Sequence, residues 1–291
     1  MMRFRASLLL FFLPAAALAD EGAGAWPVDF PVTWMENRPS FSLLVQPDVR
    51  TAYITRGKVV EDRPMASVLT RGQVDLWEFG SLGVHSWDKS SLCDRRTDVC
   101  RRAFNETDAG VYWHYDYSFN DDWALSSEFV KYWVMLNGYT KQYRDKKSDA
   151  TLNEWRVIQS LKNPYLTPFY LMRRCVHPKE WMYIRAGVMR KFPLGGGFAL
   201  TPQWYAENGN ERLFENRYGP RQGGGKYHSG MQASNFVLEL SWTANDHLSF
   251  FVGVQQFDIV SKDARRSTKA SSSRCARSDL TVGTAGCRIK F

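Results

Sequence analysis

Past its first 19 residues, this chain of 291 residues has no apolar run long enough to cross a membrane as a helix, which takes about 20 residues. Cysteine is scarce. The five present, Cys93, Cys100, Cys175, Cys275 and Cys287, are not spaced like the ligands of a zinc site. There is no lysine block of the kind that tracks nucleic acid, so no nucleic-acid partner is expected. Dinucleotide-binding GxGxxG, P-loop, EF-hand and heptad patterns are also missing. These absences leave no cofactor and no metal to expect. Spanning helices are excluded too, but hydropathy alone leaves a soluble periplasmic protein open.

What is present begins with an export signal. Arg3 and Arg5 precede a nearly continuous apolar stretch from Ala6 to Leu18, and Ala17-Leu18-Ala19 fits small-residue cleavage before Asp20. That order of regions reads as a signal peptide, cut after Ala19 on a Sec-type route. No cysteine follows it, so no lipid anchor is indicated. The formal charge of +8 loses two arginines with this segment, leaving a modest basic excess.

Aromatics make up 14% of the chain, with 11 Trp and 13 Tyr, more than an ordinary core needs. Barrels of the outer membrane use such side chains as interfacial girdles. The mean hydropathy of −0.40 is compatible with that reading, because half of each barrel strand faces a wet lumen. An exported compartment also permits disulfides. Cys93 and Cys100 share one loop, and a local bridge there is the expected pairing; free thiols are the alternative.

Period-two alternation recurs from about Phe41 to the last residue. Residues 20–40, with Pro27, Pro31 and Pro39, read as an irregular periplasmic segment before it. The first strand reads from Leu43 to Arg56 and the next from Met65 to Trp77. Leu82–Trp87, Val111–Phe119 and Trp123–Leu136 follow. Trp155–Leu161 and Leu166–Arg173 form a weaker pair, with Pro168 a mark against the second. Trp181–Lys191, Phe198–Tyr205, Phe236–Trp242, Leu248–Val260 and Thr284–Phe291 complete the set. Every second connection is short, near Gly80, Asp121, Pro164, Gly196 and Asp246, and most of the others are long and polar. Short periplasmic turns and long extracellular loops are the asymmetry of an outer-membrane barrel. The fold expected is all-β: an antiparallel up-and-down transmembrane β-barrel of about twelve strands over residues 41–291.

The last strand adds a second signal. Cys287, Ile289 and Phe291 share one face, Arg288 and Lys290 the other, and the chain stops at Phe291. This resembles the C-terminal signal by which the barrel-assembly machinery reads outer-membrane proteins, which makes that machinery, the lipid bilayer and lipopolysaccharide the expected partners in a Gram-negative envelope.

Tyr53-Ile54-Thr55-Arg56-Gly57, followed by Asp62-Arg63-Pro64 and an alternating strand reaching Trp87, resembles the opening hairpin of the TorF-like porin family, in which a Tyr-x-x-Arg-Gly element ends the first strand. The likeness covers about 45 residues and implies a barrel and a pore without naming a solute. The Cys-bearing first long loop belongs to no pattern that carries over.

The alternation assigns Asp48, Arg50, Arg56, Arg71, Asp75, His114, Asp116, Glu128, Arg156, Arg173, Arg185, Glu239, Arg288 and Lys290 to the lumen. Arginine and lysine outnumber the acids among them, which would bias a pore for small solutes toward anions. The competing expectation is that these charges pair across strands, Asp48 with Arg71 for example, and cement a closed lumen. A scaffold presenting basic Ser261–Arg277 and Glu207–His228 to lipopolysaccharide phosphates is a further alternative. Enzyme readings are weaker. His114 and Asp116 share a face, as a base and its orienting carboxylate would. Tyr227-His228-Ser229-Gly230 with Ser234-Asn235 is a superficial echo of outer-membrane phospholipase and lacks its His-x-Ser-Asn-Gly order. No catalytic residue is assigned.

Overall fold

Alternating sequence can satisfy its backbone polar groups in a lipid-facing wall only if the sheet closes on itself. The computed structural model, which describes residues 40–92, 105–136, 151–177, 179–271 and 276–291, shows that closure. The strands are β1 (Phe41–Arg50), β2 (Tyr53–Thr55), β3 (Lys58–Glu61), β4 (Met65–Asp75), β5 (Ser81–Ser91), β6 (Asn105–Ser118), β7 (Ala124–Leu136) and β8 (Thr151–Lys162). They continue with β9 (Thr167–His177), β10 (Trp181–Met189), β11 (Phe192–Gly195), β12 (Phe198–Gly209), β13 (Gly230–Asn245), β14 (Leu248–Ile259) and β15 (Asp279–Lys290). β1 pairs with β4 and β15, β10 pairs with β9 and β12, and every ladder is antiparallel. Twelve strands make the wall. β2 and β3 form a separate hairpin, and β11 extends the turn into β12.

The pair flanking Asn163-Pro164 is sound. Pro168 is the second residue of β9, opposite Val188 of β10, and the β8–β9 ladder has already ended at Ser160 and Phe169. A proline without an N–H is tolerated where no ladder bond is asked of it.

Exposure alternates along the wall. Phe41, Val49, Leu82, Val84, Val111, Phe129, Phe236, Val252 and Val254 face out. At the end carrying the short turns, aromatics gather outside. Trp113 stacks on Phe129 at 5.6 Å, Trp242 lies between Phe198 and Phe250 at 6.1 and 5.9 Å, and Tyr117 meets Phe119 edge-on. An apolar band with an aromatic girdle is what a hydrocarbon slab and its headgroup boundary favour.

Inside, the wall is also packed. Gly83 of β5 sits opposite Tyr112 of β6, whose phenol lies across it and donates to Gln73 Oε1 at 3.1 Å. A Cβ on Gly83 would fall 2.2 Å from the Tyr112 ring. Gly83→Ala is therefore expected to lower stability by about 1–3 kcal/mol through overpacking, measured as a lowered urea midpoint of the refolded barrel. An unchanged midpoint would show that Tyr112 moves aside freely.

The long-loop end departs from the sequence reading. The first strand ends at Arg50, not Arg56, and the chain reverses in the β2–β3 hairpin through Arg56 and Gly57, at φ 48° and 71°. Positive φ at both central residues is the demand of a type I′ turn. Two connections read as plain loops contain helices, α1 (Glu211–Tyr218) and α2 (Lys262–Ala270). Asn210 accepts from Leu213 N and Ser261 from Ala264 N, as N-caps do. β9 ends at His177 and β10 begins at Trp181.

The signal peptide, nearly all of the irregular segment 20–40, and Cys93, Cys100 and Cys275 lie outside the described residues. Of the other cysteines, Cys175 is buried and Cys287 half-buried, and both are free.

Candidate functional site in the barrel lumen

The lumen is built from the inward residues of twelve strands, and side chains fill it. Leu44, Arg71, Tyr112, Glu128, Glu239, Phe251 and Arg288, on seven different strands, are all at most 5% exposed. Around them the interior charges pair. Asp48 takes Arg50 at 2.6 Å and a hydrogen bond from Ser67. Arg71 reaches Glu128 at 2.6 Å with its guanidinium over the Tyr112 ring. Arg185 pairs with Glu207 at 3.0 Å, and Arg288 with Glu239 at 2.9 Å. The Asp48–Arg71 pair expected from sequence does not form, because the register sets Asp48 opposite Ser67 and Arg71 opposite Leu44.

Two clusters tie the hairpin to the wall. Glu154 of β8 meets Arg56 from the hairpin turn at 2.7 Å, Arg156 at 3.1 Å and Arg173 of β9 at 3.8 Å. Arg56 also lies over the Trp181 ring. Lys89 of β5 donates to Glu106 and Asp108, both at 2.5 Å, and to the Tyr53 hydroxyl at 3.2 Å. Arg56 thus enters the lumen from the hairpin and is not a wall residue.

A cap covers the hairpin. Ala52, Ile54 and Val59 pack with Phe214 of α1, Ala264 of α2, Tyr227, Phe257, Ile259 and Val282. Fully burying one large apolar side chain contributes about 1.5–3 kcal/mol, so this cluster seats the hairpin firmly. The Tyr218 hydroxyl donates to Gly57 O at 2.5 Å, Lys58 Nζ donates to Arg217 O at 2.6 Å, and Tyr227 donates to Ser267 at 2.7 Å. Burial pushes the Tyr218 phenol well above its usual range.

At the short-turn end the lining is more open. Asp75, His114, Asp116 and Lys290 are half-buried there. His114 Nε2 lies 3.3 Å from Asp116, its Nδ1 lies 3.8 Å from Glu128, and Lys162 donates to Asp116 at 3.1 Å. The imidazole is held between the two carboxylates. The phospholipase echo is not assembled: His228 is exposed in a loop, and adjacent Ser234 and Asn235 of β13 face opposite sides of the wall.

Lys89, Glu106, Asp108, Glu154 and Glu207 escaped the sequence reading because the strands were drawn too short at their loop ends. The alternation does continue through those residues. With them and Glu61 included, the buried interior charges among the described residues come to eight Arg or Lys and eight Asp or Glu. The arginine excess was a product of strand truncation.

No protein-family model matches this chain, and no curated protein matches it; the TorF-like resemblance gains no support there. Solved structures of similar shape include the KdgM porin in complex with disordered oligogalacturonate, at 10% identity and TM-score 0.45, over 86% of this chain and 99% of that one. The NanC porin has 10% identity and TM-score 0.46 over 86% and 100%. An outer membrane channel from Pseudomonas putida F1 has 9% identity and TM-score 0.46 over 88% and 97%. At these values the likeness carries nothing about solute or mechanism, and the reading of this chain rests on its own wall and lumen.

Proposed function

We propose that this chain is an outer-membrane barrel that passes small polar solutes through a lumen shut in the conformation described. The observation that carries this reading is the lumen itself, crossed by buried paired charges behind an apolar, aromatic-girdled exterior. Buried ion pairs are a poor choice for a purely structural filling, since replacing them with well-packed apolar groups is often neutral or stabilising. A polar lining earns its place where water and solute must at times be accommodated. The anion preference expected from the sequence has lost its basis, because the interior charges balance, and weak selectivity is now the expectation. In this reading Phe291 serves the barrel-assembly machinery, and the basic loops meet lipopolysaccharide.

The second reading, a closed barrel that presents its loops, is favoured by the burial of Arg71, Arg173, Arg185 and Glu154, all at most 4% exposed. Planar-bilayer recording of the purified, refolded protein separates the two. Infrequent unitary steps with little ion preference are expected. A membrane that stays silent with wild type, and with a barrel lacking residues 53–61, would leave the closed reading in place.

A further inference from the structure

One cation stands on the wrong side of the wall for a solute path. Phe129, Lys131 and Trp133 of β7 all face outward, toward lipid. The register sets Lys131 beside Trp155 of β8, and Trp155 beside Arg174 of β9. On the other side of Lys131 lies Val111, and beyond it Val84, 46% and 58% exposed. Lys131 therefore sits level with apolar wall residues. Its Nζ lies 4.6 Å from the Trp155 ring centroid and 5.8 Å from that of Trp133. Among the described residues no carboxylate comes within ion-pair distance of it.

Arg174 continues the row. It pairs with Glu180 at 2.7 Å, and Glu180 also receives Arg212 at 3.1 Å, so two guanidiniums share one carboxylate. The three side chains are 60%, 49% and 64% exposed. The guanidinium bond from Arg174 holds the Glu180 carboxyl below its usual range. The result is a cation–indole–cation row across three strands, its ends about 10 Å apart at the spacing of a sheet, with an excess of positive charge at the loop-end edge of the apolar band.

A cation fixed at that height is costly without a partner and snorkels toward the headgroups, where indoles also settle. The partner that reaches it laterally is a lipid headgroup, and the charge it must carry is negative. We propose that Lys131, Trp155 and Arg174, flanked by Trp133 and Arg212, form an outer-wall site for the phosphate groups of a phosphorylated glycolipid of the lipopolysaccharide class. The site rests on the reading that this wall faces an outer leaflet.

The test uses the full-length refolded barrel in detergent, with retained lipid counted by native mass spectrometry after adding purified lipopolysaccharide, its dephosphorylated form, phosphatidylethanolamine or inorganic phosphate. Wild type is expected to retain lipopolysaccharide and little of the others. Lys131→Gln and Arg174→Gln should each weaken retention about fivefold, the worth of one cation at a charged membrane surface, and Lys131→Arg should restore it. Both glutamine variants alter the outer face of the wall and keep the fold, checked by heat-modifiable migration. Equal retention by the double variant, equal retention of the dephosphorylated lipid, or full displacement by inorganic phosphate would each overturn the site. Insertion into preformed vesicles is scored separately: a barrel that inserts but retains no lipopolysaccharide overturns the site alone, and one that does not insert overturns the outer-membrane reading beneath it.

Discussion

Glu154→Gln is expected to cost the barrel about 3–5 kcal/mol, the largest loss from any single substitution considered for this chain. Glu154 is fully buried and is the carboxylate shared by Arg56, Arg156 and Arg173. Glutamine keeps its shape and loses its charge, so three guanidiniums that remain protonated near neutral pH must stay in a dry interior with their common counter-ion gone. Removing one partner of a buried pair costs about that much because the remaining charge is uncompensated. Urea unfolding of the refolded protein measures it, together with the temperature at which the heat-resistant gel band is lost. Adding Arg56→Met should recover part of the loss, since one of the stranded cations is then gone, and the double-mutant cycle isolates the hairpin-to-wall coupling. A glutamine variant within 1 kcal/mol of wild type would mean that water reaches this cluster and the lumen is not packed there.

The second large effect concerns conduction. Gly57 stands at φ 71° in the hairpin turn, and a Cβ there would fall 2.4 Å from Nε2 and 2.8 Å from Cγ of Gln232, which is itself fully buried. Gly57→Ala therefore combines a left-handed backbone strain with a collision, together on the order of 1–3 kcal/mol against the seated hairpin. If the hairpin shuts the loop end, that bias raises its unseated population about fivefold or more. Unitary steps in planar bilayers should become correspondingly more frequent at unchanged step size, because the wall is untouched. A disulfide between Gly57→Cys and Gln232→Cys should silence the barrel when oxidised and release it under reductant, the close approach of these positions suiting such a bridge. An open fraction indifferent to Gly57→Ala and to the bridge would place the barrier elsewhere, with the layer of Leu44, Tyr112, Glu128 and Phe251 as the next obstruction.

The sequence by itself determined the wall. Alternation in β6, where Val111, Trp113 and Tyr117 oppose Tyr112, His114 and Asp116, depends only on the two-residue period of a strand, and no tertiary contact can reverse it without a register slip that exposes the polar face to lipid. The alternation of short and long connections likewise set which ends of the strands lie together, and with an even count the sheet could close. The interior was another matter. Asp48 and Arg71 are inward from sequence alone; Asp48 takes Arg50, two residues along its own strand, but the partner of Arg71, Glu128, lies 57 residues away and follows from reach across the lumen. Strand ends were read short where alternation runs on into polar residues, so Glu106, Asp108, Glu154 and Glu207 passed for loop, and the charge balance was misjudged. Tyr53-Ile54-Thr55-Arg56-Gly57 reads as alternating strand by period. Only the fold turns it back, because the cap formed with α1 and α2 buries Ile54 and Val59, and Arg56 then reaches Glu154, 98 residues away in the chain. Local patterning specifies a two-faced wall; what fills and shuts it is decided by contacts between distant parts of the chain, which no window of sequence contains.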